Sequence, residues 1–258
     1  MSSEHTFLVK KSCPVCGQIT RAVKVKSRLF ASRVDSDYCC HYGQFNPYLY
    51  NIWVCEHCGF AADEKVFLSA MPASHKELLK KALAAKHVHF EFEEVRSVPD
   101  GIASLKLAIY CAELVGAPLA RQAGLVMRLA WIYRIDGQED KEIETMKQAL
   151  GLYVRSLETE LYPIDHLTDN MVMYLVGALY ARIGENKKAV MYLSRLVDDK
   201  YGTAREPKLV MDARKLWQQV REEEQKKQPP KAAEAEGNTA RAKKQGTEKK
   251  KSGFRRWF

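Results

Sequence analysis

The chain has 258 residues, 46% hydrophobic and 28% charged, with a formal net charge of +9. That length holds one large or two small domains, and the composition is that of a globular protein. No stretch approaches the roughly 18–20 uninterrupted apolar residues that span a bilayer, and the opening MSSEHTFLVKKSC lacks the apolar core of a secretory signal.

The positive charge is localised. Between Lys226 and Phe258 stand eleven Lys/Arg and three Glu, a net of +8, which leaves about +1 for the preceding 225 residues. Basicity therefore belongs to the tail, and the remainder is close to neutral. Seven cysteines, four of them in two C-x-x-C pairs, favour metal ligation over disulfides in an intracellular chain, and a cytoplasmic location is expected.

In chain order, residues 1–68 hold all but one of the cysteines and several β-rich runs. TRAVKVKS (20–27) alternates as a strand should, RLFASRV (28–34) does so less cleanly, and LYNIWVC (49–55) is a third candidate. The next domain, 69–225, reads as helix almost throughout from about residue 73. Ile102, Leu105, Ile109 and Ala112 make one apolar stripe at helical spacing, Leu175, Leu179 and Ile183 a second, and Val190, Leu193 and Val197 a third.

Gly116-Ala-Pro118 ends one helix and begins the next, Asp136-Gly137 and Gly184 mark further ends, and Asp165 or Thr168 is a cap for a helix starting near Asn170. A last helix is expected at about 206–225, starting near Pro207. Residues 226–258, rich in Lys, Gln, Ala, Glu and Gly, should be disordered. The expected class is α+β: a small β-rich ribbon, a mainly helical domain and a basic tail.

LAWIYRIDG (129–137) and VGALYARIG (176–184) share an apolar-small-x-apolar-Tyr-x-x-x-Gly pattern, 47 residues apart. In the second, Gly177, Tyr180, Gly184, Ala189 and Leu193 fall at the diagnostic positions of a tetratricopeptide (TPR) hairpin. The first has Glu142 where the pattern wants Ala, so the expectation is TPR-like rather than a regular array.

Cys13-Pro-Val-Cys16-Gly17 and Cys55-Glu-His-Cys58-Gly59 are two copies of one unit. In such a knuckle a tight turn aims two thiolates at a metal, and the glycine takes the positive φ that turns backbone amides toward sulfur. Two knuckles supply four soft ligands at tetrahedral angles, which suits a structural Zn²⁺ and leaves no open position for substrate. Iron takes the same ligands. A redox C-x-x-C would need one pair in a βαβ setting, and neither condition is met.

In Cys39-Cys40-His41, Cys39 is expected to pack as a small hydrophobe, since four thiolates need no fifth ligand; an accessory ligand or second site at Cys39 and His41 is the alternative. His57 is expected to face solvent, Cys111 to lie in the core, and His87 and His89 to point to different helix faces. Asp35 and Asp37 are expected to brace a turn. No phosphate-binding glycine loop, H-E-x-x-H or G-x-S-x-G is present, and no catalytic residue is assigned.

Cys13-Pro-Val-Cys16, Asp35-Ser-Asp37-Tyr38-Cys39, Asn46-Pro47 and the Cys55–Phe60 knuckle together resemble a bacterial family catalogued as a domain of unknown function. The Tyr180–Gly184 hairpin fits it as well, and the likeness covers roughly residues 7–200. The resemblance implies an N-terminal CPxC zinc ribbon followed by TPR-like helices, and it brings no established activity. Cys40 and the basic tail fall outside the family pattern.

The tail ends with Lys249, Lys250, Lys251, Phe254, Arg255, Arg256, Trp257 and Phe258. Cations interleaved with aromatics suit anionic lipid headgroups, or phosphates with bases stacked on Trp257, and equally a solubilising tail with no partner. The leading expectation is a non-enzymatic scaffold that holds a protein or peptide partner in a helical groove. Nucleic-acid binding by ribbon and tail is the alternative, and an enzyme using Asp35, Asp37 and Cys39 the third. No small-molecule substrate is expected.

Overall fold

An antiparallel hairpin opens the chain: β1 (Thr6–Ser12) pairs with β2 (Ile19–Val25), from Thr6 opposite Val25 to Ser12 opposite Ile19 at the closed end. The computed structural model describes residues 4–26, 29–85, 94–198 and 206–227. β3 (Arg33–Val34) and β4 (Cys40–His41) form a second small hairpin around the turn 35–39, and a 3₁₀ turn follows at Pro47–Tyr50. The third hairpin joins β5 (Ile52–Val54) to β6 (Ala61–Asp63), and the short α1 (Glu64–Phe67) continues from it.

The strand expected at 20–27 is β2. The two further candidates shrink, RLFASRV to the pair 33–34 and LYNIWVC to 52–54, because residues 47–50 turn into a 3₁₀ helix with Asn46 capping Tyr48 N.

Helices make up the rest: α2 (Ala73–Ala85), α3 (Val98–Leu114), α4 (Leu119–Ile135), α5 (Glu139–Thr159), α6 (Asp169–Arg182), α7 (Asn186–Asp198) and α8 (Pro207–Lys227). α4 packs antiparallel on α5, and α6 on α7, as two helical hairpins. Their turns have the same hydrogen bonds. Gln138 N donates to Tyr133 O and Glu185 N to Tyr180 O, both 2.9 Å, across Gly137 (φ +74°) and Gly184 (φ +82°). In the second hairpin a Cβ on Gly177 would stand 2.7 Å from Leu193 Cγ, so the helices touch there through bare backbone.

Helix ends follow local chemistry. Ser97 and Asp100 form a capping box on α3, and Thr168 rather than Asp165 caps α6 through Met171 N. Pro118 has no side chain to cap α4. Glu160, arriving from the end of α5, accepts from Leu119 N at 2.6 Å and Ala120 N at 3.1 Å instead.

One apolar core runs from the ribbon into the helices. Arg96 fastens the two, donating from Nη1 to Leu49 O (2.9 Å) and Ile52 O (2.8 Å), while its backbone N–H meets the Tyr50 hydroxyl. The α3 stripe is rotated from its expected phase. Gly101, Ser104, Leu105, Ala108 and Cys111 face inward, whereas Ile102, Ile109 and Ala112 are half-buried at the flank. Contact with the 3₁₀ turn requires small residues there: a Cβ on Gly101 would lie 2.5 Å from Leu49 Cδ2 and 3.1 Å from Leu49 Cα. The second and third stripes hold at Leu175, Leu179 and Leu193, with Ile183, Val190 and Val197 half-buried beside them. Among the described residues no helix is long and apolar enough to cross a membrane.

Candidate metal centre

Both knuckles sit at hairpin tips, the first between β1 and β2 and the second between β5 and β6. Their backbones are duplicates. Gly17 N donates to Cys13 O and Gly59 N to Cys55 O, both at 2.9 Å; Cys13 N donates to Gln18 O (2.9 Å) and Cys55 N to Phe60 O (2.8 Å). Gly17 and Gly59 take φ of +79° and +74°, the left-handed turn the motif demands.

The packing of the two tips brings Cys13, Cys16, Cys55 and Cys58 together, with ligand atoms all within 4.8 Å of one another. The Cys13–Cys58 sulfurs are 3.7 Å apart and the Cys16–Cys55 sulfurs 3.6 Å. A tetrahedral ion with metal–sulfur bonds of about 2.3 Å needs sulfurs about 3.8 Å apart, so the four residues fit a single metal ion. Without a metal, Cys55 is held low by hydrogen bonds from the Cys13 and Cys58 thiols. The bond to Cys55 in turn pushes Cys13 up to about 12, and Cys58 is raised by Cys13 and Cys55. A cation bound by the four sulfurs would displace the protons they share.

Asp35, Cys39 and His41 form a second cluster, again with ligand atoms within 4.8 Å. Its carboxylate is committed elsewhere. Asp35 Oδ2 lies 2.7 Å from His41 Nε2 and 2.8 Å from Arg134 Nη1, and Oδ1 lies 3.1 Å from Arg33 Nε. Burial alone would raise Asp35, but the hydrogen bonds from His41 and Arg134 hold its carboxyl below the usual range. Two guanidinium groups already supply the counter-charge, and burial pushes the Cys39 thiol up to about 12. The arrangement suits an ion-paired brace, with Cys39 packed as an apolar side chain at 0% exposure.

Arg134 organises that brace. Its guanidinium bonds Asp35 (2.8 Å), Asp37 (2.9 and 2.7 Å) and Glu142 (2.8 Å), and Glu142 also receives Arg182 Nε at 3.1 Å. Asp37 further accepts from Trp131 Nε1 at 3.1 Å and Cys39 N at 3.3 Å, and Tyr174 donates to Ser36 O at 2.7 Å. The turn 35–39 is thus braced, as expected, and also locked onto α4, α5 and α6. Motif reading missed Arg134, Arg182 and Trp131. Two signals pointed to them: a Glu at the small-residue position of the first hairpin, and an Arg inside the apolar run LAWIYRI.

His57 is exposed, with Nε2 3.0 Å from Ile19 O, and Cys111 is buried in the core, which pushes its thiol up to about 11. Cys40 is half-buried. His87, His89 and the tail residues Lys249, Lys250, Lys251, Phe254, Arg255, Arg256, Trp257 and Phe258 lie outside the described residues.

A protein of Borreliella burgdorferi described as uncharacterized is 26% identical over 216 residues, covering 75% of this chain and 77% of its own. No solved structure matches. The model of one family, described as an uncharacterized protein conserved in bacteria (DUF2225), matches residues 8–220, from β1 to the middle of α8 and through both knuckles. The chain belongs to that bacterial family.

Proposed function

We propose that this chain is a non-enzymatic, cytoplasmic interaction protein whose ribbon is stapled by one structural Zn²⁺ on Cys13, Cys16, Cys55 and Cys58. The observation that carries this reading is the closed four-sulfur centre. Four thiolates saturate a tetrahedral ion, so the metal supplies folding energy and offers no position to a substrate. Zinc suits four soft ligands of this spacing and has no redox chemistry of its own.

Repeated helical hairpins with matched turns and a glycine-to-leucine contact support a TPR-like unit, whose concave side takes a peptide or protein partner. Affinity capture with the full chain and with a chain truncated at 226, analysed for protein, nucleic acid and lipid together, tests the reading. Enrichment of one protein partner that survives truncation supports it. Capture of nucleic acid or anionic lipid alone, lost with the tail and lost at high salt, overturns it in favour of tail-driven binding.

A further inference from the structure

A cavity of about 380 Å³ opens where the ribbon's α1 meets α4, α5, α6 and the loop before α6. Its size is that of small-molecule sites, and such sites favour junctions between structural units. Met127, Trp131 and Leu175 give it apolar walls. Polar groups share the lining, Tyr153 and Arg128 among them. Tyr153, on α5, is 1% exposed, lines the cavity and has no hydrogen-bond partner among the described residues. Its hydroxyl is open to an acceptor placed in the cavity.

Arg128, one helical turn beyond Gly124, donates Nε to Gly124 O at 3.1 Å, and its Nη2 pairs loosely with Asp63, which also lines the cavity, at 3.9 Å. Lys65 and Arg121 differ, for both pair with Asp165, at 3.0 and 2.9 Å. Gly124 itself makes the room: a Cβ there would meet only Tyr153 Oη, at 3.6 Å, so any longer side chain would grow into the cavity.

We infer that this cavity binds a small molecule with an anionic carboxylate or phosphate head on an aromatic or apolar body. Arg128 and the Tyr153 hydroxyl donate to the head, and Trp131 and Met127 pack on the body. Asp63, Asp165 and His166 share the lining with these groups. Trp131 also donates to Asp37, so an occupant rests against the same indole that anchors the ribbon's turn 35–39. The inference is independent of any partner on the helical groove.

The test is titration of the full metal-loaded chain with phenyl phosphate, benzoate and phenol, followed by calorimetry and by Trp fluorescence. At least one of the two anions should saturate, and phenol should bind roughly tenfold more weakly for want of a charge-assisted hydrogen bond. R128Q and Y153F should each weaken the anion at least about fivefold with metal content unchanged. G124L, which fills the cavity and replaces a helical glycine by a strong helix former, should abolish binding while melting no lower than the parent. Failure of both anions to bind below about 10 mM, or undiminished affinity in G124L, overturns the inference.

Discussion

Replacing Arg134 by Met keeps the length and apolar stem of the side chain and removes the guanidinium that holds Asp35, Asp37 and Glu142. The side chains of Arg134, Asp37 and Glu142 are 5%, 2% and 3% exposed, so water cannot substitute for the lost cation. Glu142 retains Arg182, which is 45% exposed and correspondingly screened, and among the described residues Asp37 retains Trp131 and a backbone N–H. Breaking a buried pair from one side costs about 3–5 kcal/mol, mainly through the charge left behind.

For a folded unit of this size each kcal/mol moves the melting temperature by about 2–4 °C, so R134M should melt roughly 6–20 °C lower. Urea unfolding followed by far-ultraviolet circular dichroism, with metal content measured alongside, gives the number. A control makes the cause specific. Adding D37N and E142Q to R134M should recover part of the loss. A loss under about 1 kcal/mol, or one unaffected by the added neutral partners, would refute the idea that Arg134 locks the ribbon to the helices.

Gly177→Ala should destabilise: the new Cβ meets the fully buried Leu193, and overpacking of roughly 1–3 kcal/mol exceeds the roughly 1 kcal/mol gained in helix propensity. Gly151→Ala, in open space on α5, should instead stabilise by about 0.5–1 kcal/mol in the same urea assay. Asp35 has a folded-state pKa below its unfolded value, so its contribution is present above about pH 4 and is lost as pH falls through the folded value. The stability of D35N measured from pH 7 to pH 2 should accordingly fall less steeply than the parent's, and identical slopes would contradict that assignment.

The knuckles were legible because their chemistry is local: Cys-x-x-Cys-Gly states both the ligands and the left-handed turn, and Gly17 and Gly59 adopt it. Helix ends at Gly116, Gly137 and Gly184 were legible for the same reason. β1 was not, since TFLVKKS is largely exposed along its length and shows no two-residue alternation to detect. The phase of α3 was also hidden. Apolar periodicity marks the largest side chains, whereas this interface needed the smallest, at Gly101, Ser104 and Ala108, to admit Leu49. Asp37 and Arg134 are 97 residues apart, and only Glu142, an acidic residue at a small-residue position, hinted that a buried cation was waiting for it. Tyr153 and Gly124 looked like routine helix residues, and their meaning depends on the space between them.

The most direct test of the four-cysteine centre is the metal content of the folded chain, by native mass spectrometry and elemental analysis, beside Cys55→Ser. One zinc per chain is the expected result, with the metal lost and the N-terminal hairpins unfolded in the Cys55→Ser variant. A folded chain that carries less than one zinc with all four thiols freely reactive, or that carries iron in its place, would contradict the account.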